Sequence, residues 1–279
     1  MHDEKILPLI EHLVELRKRL IIIIIAVVIG MGIAWNISEQ FLSFIERPLT
    51  GRTYLSDLKT RVYGEMKKRY PSLYDRYDPE KGAQVSVANR NLYYNAPLEA
   101  FFVQCKVALI LGFVIALPIV FLQVWRFVAP GLTARERRLV VPFVSTGTVS
   151  FCVGALFFLV VIWPVIINFS LSYESEGLRS WFSLSAYVNF CLRLILVFGL
   201  IFELPVVTLL LSRFGLVSGR FLARNRKYAV LASAIIAAFH ADLVTMFVVM
   251  VPLYLMYEVS IWVAYLFGKK RAADSAARA

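Results

Sequence analysis

Apolar residues in this chain recur less as a periodic face than as long unbroken runs. The runs cover 20–36, 101–127, 139–169, 187–211 and 244–267, with a shorter one at 228–239. A helical bilayer crossing takes about 20 apolar residues, with a range of ~17–25. The pattern therefore predicts an all-α polytopic membrane protein of six transmembrane helices. The 139–169 run is too long for one straight crossing and carries Pro164, and the 228–239 run is short. Polar stretches 1–19, 37–100, 128–138, 170–186, 212–227, 240–243 and 268–279 separate the runs. Only 37–100 is sizeable. In it, Leu55, Leu58, Val62 and Met66 step by three and four, the spacing of an amphipathic helix that Pro71 stops. Tyr70, Tyr74, Tyr77, Tyr93 and Tyr94 add interfacial character, so this stretch reads as a partly helical extracytoplasmic cap.

Composition agrees with the pattern. Of the 279 residues, 59% are hydrophobic and 18% charged, against roughly 45–50% and about 25% in soluble domains. That excludes disordered, collagenous, coiled-coil and disulfide-rich secreted classes. Cys105, Cys152 and Cys191 all lie inside apolar runs and fit no metal or disulfide spacing. A net charge of +11 would point to nucleic acid in a soluble chain. In a membrane chain it follows from basic cytoplasmic loops, so no nucleic-acid partner is expected. Placing the N-terminus inside puts seventeen Lys and Arg on the inner side, counting Arg126 at the end of the second run, against Arg179 alone in the outer loop 170–186. Both termini are then cytoplasmic. The charged first nineteen residues match no cleavable signal and no transit peptide, as expected for a prokaryotic plasma membrane.

No catalytic constellation, phosphate loop or metal motif is present, so no enzyme activity, metal or cofactor is expected. The informative residues are charges in or beside apolar runs, which cost several kcal/mol unless paired or wet. Glu203 lies deep in the fourth run, within Phe198 to Pro205. Asn189, Arg193, Leu196, Leu200 and Glu203 step by four and three, so they share a helix face that must meet protein or water. Glu203 reads either as a functional polar group or as a neutral acid satisfying a neighbouring helix. Glu136, taken alone, reads as the far end of a capping box with Thr133. Glu15 stands at i,i+4 to Arg19, an ordinary helix pair. Asp242 and Glu258 flank and enter the last run, Asp242 also fitting an N-cap. Pro48, past the first run, is a further candidate.

Taken in order, these stretches resemble the TatC family, the multispanning subunit of the twin-arginine protein translocase. The resemblance rests on His12-Leu13-Val14-Glu15-Leu16-Arg17-Lys18-Arg19-Leu20, on Gln123 to Leu132 followed by Glu136-Arg137-Arg138, and on Phe198 to Val206 with its intramembrane glutamate. Where the family usually carries a Pro-Pro-Asp turn before the last span, this chain reads Phe239-His240-Ala241-Asp242 and keeps only the acid.

The resemblance implies a receptor that binds signal peptides bearing paired arginines and helps move folded proteins across the membrane on the proton-motive force. It implies single-span TatA and TatB partners and homo-oligomers within the receptor complex. It also implies that Glu15 and Glu136, with Arg17 and Phe127, form the site for the arginine pair. Guanidinium groups pair bidentately with carboxylates, which suits that role. Glu203, with Arg193 and Asn189, would offer an intramembrane polar site to a partner or signal helix. The competing reading is a proton-coupled small-solute transporter with Glu203 as carrier and Arg193 as counterion. The lack of an internal repeat weighs against it.

Overall fold

A computed structural model of the chain describes residues 6–50, 92–128, 140–173, 180–238 and 243–267. The proposed cap helix, Pro71, Glu136, His240, Asp242 and the C-terminal tail lie outside the described residues. The described residues form helices joined by turns, with no strand among them beyond one isolated bridge between Tyr93 and Ser183. The helices are α1 (Ile6–Glu46), α2 (Glu99–Val128), α3 (Val140–Phe157), α4 (Trp163–Leu171), α5 (Leu184–Phe202), α6 (Leu204–Arg213), α7 (Gly219–Arg224), α8 (Arg226–Ala238) and α9 (Leu243–Phe267). A 3₁₀ turn, Arg47–Thr50, follows α1, and a π turn, Phe158–Ile162, joins α3 to α4.

Five stretches of helix are long and apolar enough to cross a bilayer: His12–Leu49, Glu99–Phe127, Val140–Leu171, Leu184–Arg213 and Thr245–Phe267. The sixth apolar run forms α8, whose 13 residues reach about 20 Å at 1.5 Å per residue. The helices outrun the apolar stretches. α1 begins at Ile6 and ends at Glu46, beyond both ends of 20–36, because the flanking Leu, Glu, Lys and Arg residues are good helix formers even where they are too polar for lipid.

The chain divides into two compact units. One gathers 1–34, 109–155 and 195–279; the other gathers 35–108 and 156–194. In the first, α9 packs against α6, α7 and α8. The middle of α1 and the middle of α2 approach so closely at Gly30 and Gly112 that a Cβ on Gly30 would strike the Gly112 carbonyl. A Cβ on Gly112 would strike the backbone of Met31. Small residues let backbones come together where lipid gives no hydrophobic drive for helices to associate. α6 ends in a Schellman motif. Leu216 N–H donates to the Leu211 carbonyl at 2.9 Å and Gly215 N–H to Ser212 at 3.1 Å. Gly215 takes φ 72°, a conformation glycine adopts without steric cost.

In the second unit the over-long third apolar run is resolved by its proline. Pro164 has no N–H for the helix, and just before it the Trp163 N–H reaches back to the Phe158 carbonyl, a π-type bond. Trp163 is fully buried, and its indole N–H donates to the Ile45 carbonyl at 2.9 Å. The Tyr187 hydroxyl donates to the same carbonyl at 2.6 Å. In the 3₁₀ register of that turn, the donor for Ile45 would be residue 48, which is Pro48 and has none. Pro48 therefore leaves an acceptor that the two buried aromatics satisfy.

Candidate functional site

A hydrogen bond from Arg19 to Gln123 and a ring stack of His12 on Phe127 tie the early turns of α1 to the last turns of α2. The Arg19 Nη2 donates to Glu15 Oε1 at 2.7 Å, and its Nη1 donates to Gln123 Oε1 at 3.3 Å. Gln123 is buried. Nearby, His12 stacks on Phe127, with ring centroids 4.4 Å apart and planes 24° from parallel. Glu15 keeps 31% of its side-chain surface. A carboxylate presents about four lone-pair sites, so its bond to Arg19 leaves capacity for a second guanidinium. Arg17, Leu13, Val14 and Leu16 are exposed around it. Beneath, Trp125 is buried against Phe143 at 4.9 Å, and Phe143 meets Phe121 edge-on at 6.1 Å. Of the four residues expected for the arginine pair, the structure therefore groups Glu15 and Phe127 through α1 and α2 and leaves Arg17 exposed beside them.

Glu203 occupies the break between α5 and α6. Its N–H bonds the Leu200 carbonyl at 3.2 Å, a tighter turn than α-helix, and Pro205 opens the next helix. The break reorients the side chain: Leu200 is 64% exposed and Glu203 only 6%. The equal spacing of the polar face thus does not carry through to equal exposure, because one residue of 3₁₀ turn shifts the register. Glu203 Oε1 has no hydrogen-bond partner among the described residues. Its Oε2 lies 3.4 Å from where a Cβ on Gly147 would stand. One residue before it, the Ser150 hydroxyl donates to the Phe202 carbonyl at 2.6 Å. α3 and α5 meet through Gly154, where a Cβ would fall 2.6 Å from the Phe198 carbonyl, and through Gly199 against the Phe151 ring.

Asn189 and Arg193 belong to the other unit. Asn189 accepts from Lys106 Nζ at 3.1 Å and donates to Ser185 Oγ at 3.1 Å. Arg193 is exposed, and Glu203 forms no ion pair among the described residues. Glu258 accepts from Arg226 at 2.9 Å and from the Tyr254 hydroxyl at 2.7 Å, tying α8 to α9.

Three residues escaped the reading of the sequence. Gln123 opens the stretch Gln123 to Leu132 but carries no charge to single it out. Lys106 is a cation inside an apolar run, so the criterion that picked Glu203 applied to it too. Glu99 accepts from the Asn95 and Ala96 N–H groups at 2.6 and 3.3 Å, from Ser185 N–H at 2.9 Å and from Ser183 Oγ at 3.3 Å. It caps the first turns of α2 and α5 together.

Long apolar helices, small-residue crossings and a carboxylate buried at a proline break define a multi-pass helical membrane protein with polar sites inside and beside its spans. The family model described as Sec-independent protein translocase protein (TatC) matches residues 11–252, and the chain belongs to that family. A TatC from Desulforapulum autotrophicum is 34% identical over 98% of this chain and 89% of its own length. One from Aquifex aeolicus is 32% identical over 95% of this chain and 98% of its own. A solved structure described as twin arginine translocase receptor TatC superposes with a TM-score of 0.68 at 31% identity, covering 91% of this chain and 97% of that one. The chain is a protein translocase component of the multi-pass membrane class.

Proposed function

We propose that this chain is the receptor subunit that captures twin-arginine signal peptides and helps pass folded proteins across a prokaryotic plasma membrane on the proton-motive force. Both termini face the cytoplasm, and the chain acts without a cofactor or catalytic step. Single-span TatA and TatB subunits are its partners, and further copies of itself join it in the receptor complex. The observation that carries the reading is Glu15. It is a half-buried carboxylate held by Arg19, whose guanidinium also donates to Gln123, with acceptor capacity left for an incoming guanidinium. Glu136 supplies the second carboxylate, and Arg17 and Phe127 border the site. Glu203 offers a polar contact within the membrane to a partner or signal helix.

The test is co-purification of the full chain with a signal peptide and with its twin-lysine variant. Capture of the arginine peptide at least tenfold above the lysine peptide supports the reading, since lysine lacks the planar fork. Equal capture of both overturns it.

A further inference from the structure

Lys106 and Arg193 are cations inside apolar helices. Lys106 is exposed and its ammonium donates to Asn189; Arg193, one turn beyond Asn189 on α5, is exposed and has no hydrogen bond or ion pair among the described residues. An unpaired guanidinium in a membrane span is costly and calls for an anion. No described carboxylate supplies one: Glu99 is occupied by the Asn95, Ala96, Ser183 and Ser185 groups.

The geometry of the two helices indicates where that anion sits. α2 and α5 begin at the same end of their unit, since the Glu99 carboxylate joins both first turns and Tyr93 bridges to Ser183. Helical side chains lean back toward the N-terminus of their helix. Lys106 lies seven residues into α2 and Arg193 nine into α5, depths of about 10 and 13 Å at 1.5 Å per residue. Both long side chains therefore snorkel toward the same membrane face. Aromatics mark that face. Trp181 stacks on Tyr93 at 4.6 Å and stays 74% exposed, and Tyr94 is exposed beside them. Tyr and Trp collect where headgroups lie. Exposed Leu98, Phe101 and Phe102 continue the surface along α2 on the apolar side.

We propose that Lys106, Asn189 and Arg193 form a binding site for the phosphate of an anionic phospholipid in the leaflet where α2 and α5 begin. Arg193 is then a lipid ligand with a role independent of Glu203. The site does not depend on signal-peptide capture.

The experiment is lipid binding to the full purified chain in neutral detergent, read by native mass spectrometry with phosphatidylglycerol and with phosphatidylcholine. Wild type should bind phosphatidylglycerol preferentially. Arg193→Gln and Lys106→Gln should each weaken that binding about tenfold, the size of one lost charge-assisted hydrogen bond. Arg193→Lys should restore part of it, and Arg220→Gln, an exposed cation on α7, should change nothing. A thermal midpoint for each variant separates misfolding from loss of lipid: a variant that melts like wild type yet loses the lipid supports the site. Should Arg193→Gln not fold, Arg193→Lys and Lys106→Gln carry the comparison. Unchanged phosphatidylglycerol binding in folded variants overturns the proposal. So does equal affinity for the two lipids, or displacement of the lipid by millimolar inorganic phosphate, which would mark a free-anion site.

Discussion

The Ser150 hydroxyl on α3 donates to the carbonyl of Phe202 at 2.6 Å, at the residue where α5 ends. The Glu203 carboxylate is thus placed by a break in its helix, and that break is held from α3. Ser150→Ala removes this donor next to a proline that already lacks one. The expected loss is about 1 kcal/mol of stability, read as a lower thermal midpoint in detergent. An unchanged midpoint would show that the break holds without the bond.

The crossing of α1 and α2 gives a sharper packing test, because two nearby glycines differ in surroundings. A Cβ at Gly112 meets the backbone of Met31, whereas a Cβ at Gly32 meets nothing within 4 Å. Gly112→Ala should therefore destabilise by about 1–3 kcal/mol or more through overpacking. Gly32→Ala should be neutral or stabilising by up to about 1 kcal/mol, from helix propensity alone. The paired thermal midpoints decide it; equal effects would mean that the close approach is not a determinant.

These two cases show what the sequence could and could not reveal. Continuous apolar runs announce spans because lipid demands them, and Pro164 announced trouble in a run that turned out to hold a π turn. Glu203 stood out because charge is rare in such runs. Which helices touch is another matter. In a soluble protein an apolar stripe marks the buried face, but a span is apolar on every side, so the crossing at Gly30 and Gly112 or the Trp163 and Tyr187 bonds to Ile45 carry no periodic signal. Helix ends were hidden for a related reason: α1 continues as helix through residues too polar to be read as span.

Capture of the arginine pair should fail when Glu15 or Glu136 is lost, while the chain stays intact. Glu15→Ala and Glu136→Ala should each weaken signal-peptide binding tenfold or more, from about 1.5–3 kcal/mol per charge-assisted bond. Abundance in the membrane should not change, because Glu15 keeps part of its surface open and Glu136 falls in the polar stretch 128–138. Immunoblots beside a peptide-binding assay check this. Reduced abundance of Glu136→Ala would assign that residue to the capping box with Thr133 instead.

Topology can be read directly. Reporters fused after residues 85 and 178 should lie outside, and those after 216 and 275 inside. The critical fusion is the last, because α8 has only 13 residues. An outside C-terminus would mean that α8 does not cross and that the chain has five crossings.

Glu203 is where the two functional readings part. A carboxyl buried at 6% exposure in an apolar span is costly to ionise and acts best as a neutral hydrogen-bonding group. Its Oε1 has no partner among the described residues, which fits a contact completed by another helix. If that contact is a hydrogen bond, Glu203→Gln keeps donor and acceptor and should retain most transport. Glu203→Ala removes both and leaves the partner's polar group unsatisfied in lipid. It should weaken assembly or deep insertion of the signal, while capture by Glu15 and Glu136 persists. A proton carrier behaves differently, because an amide cannot cycle a proton, so Gln should then fail as fully as Ala. Transport and partner-binding assays on both variants separate the outcomes. Equal transport failure of the two, with partner binding intact, would sink the hydrogen-bonding role; transport by Gln with failure by Ala would establish it.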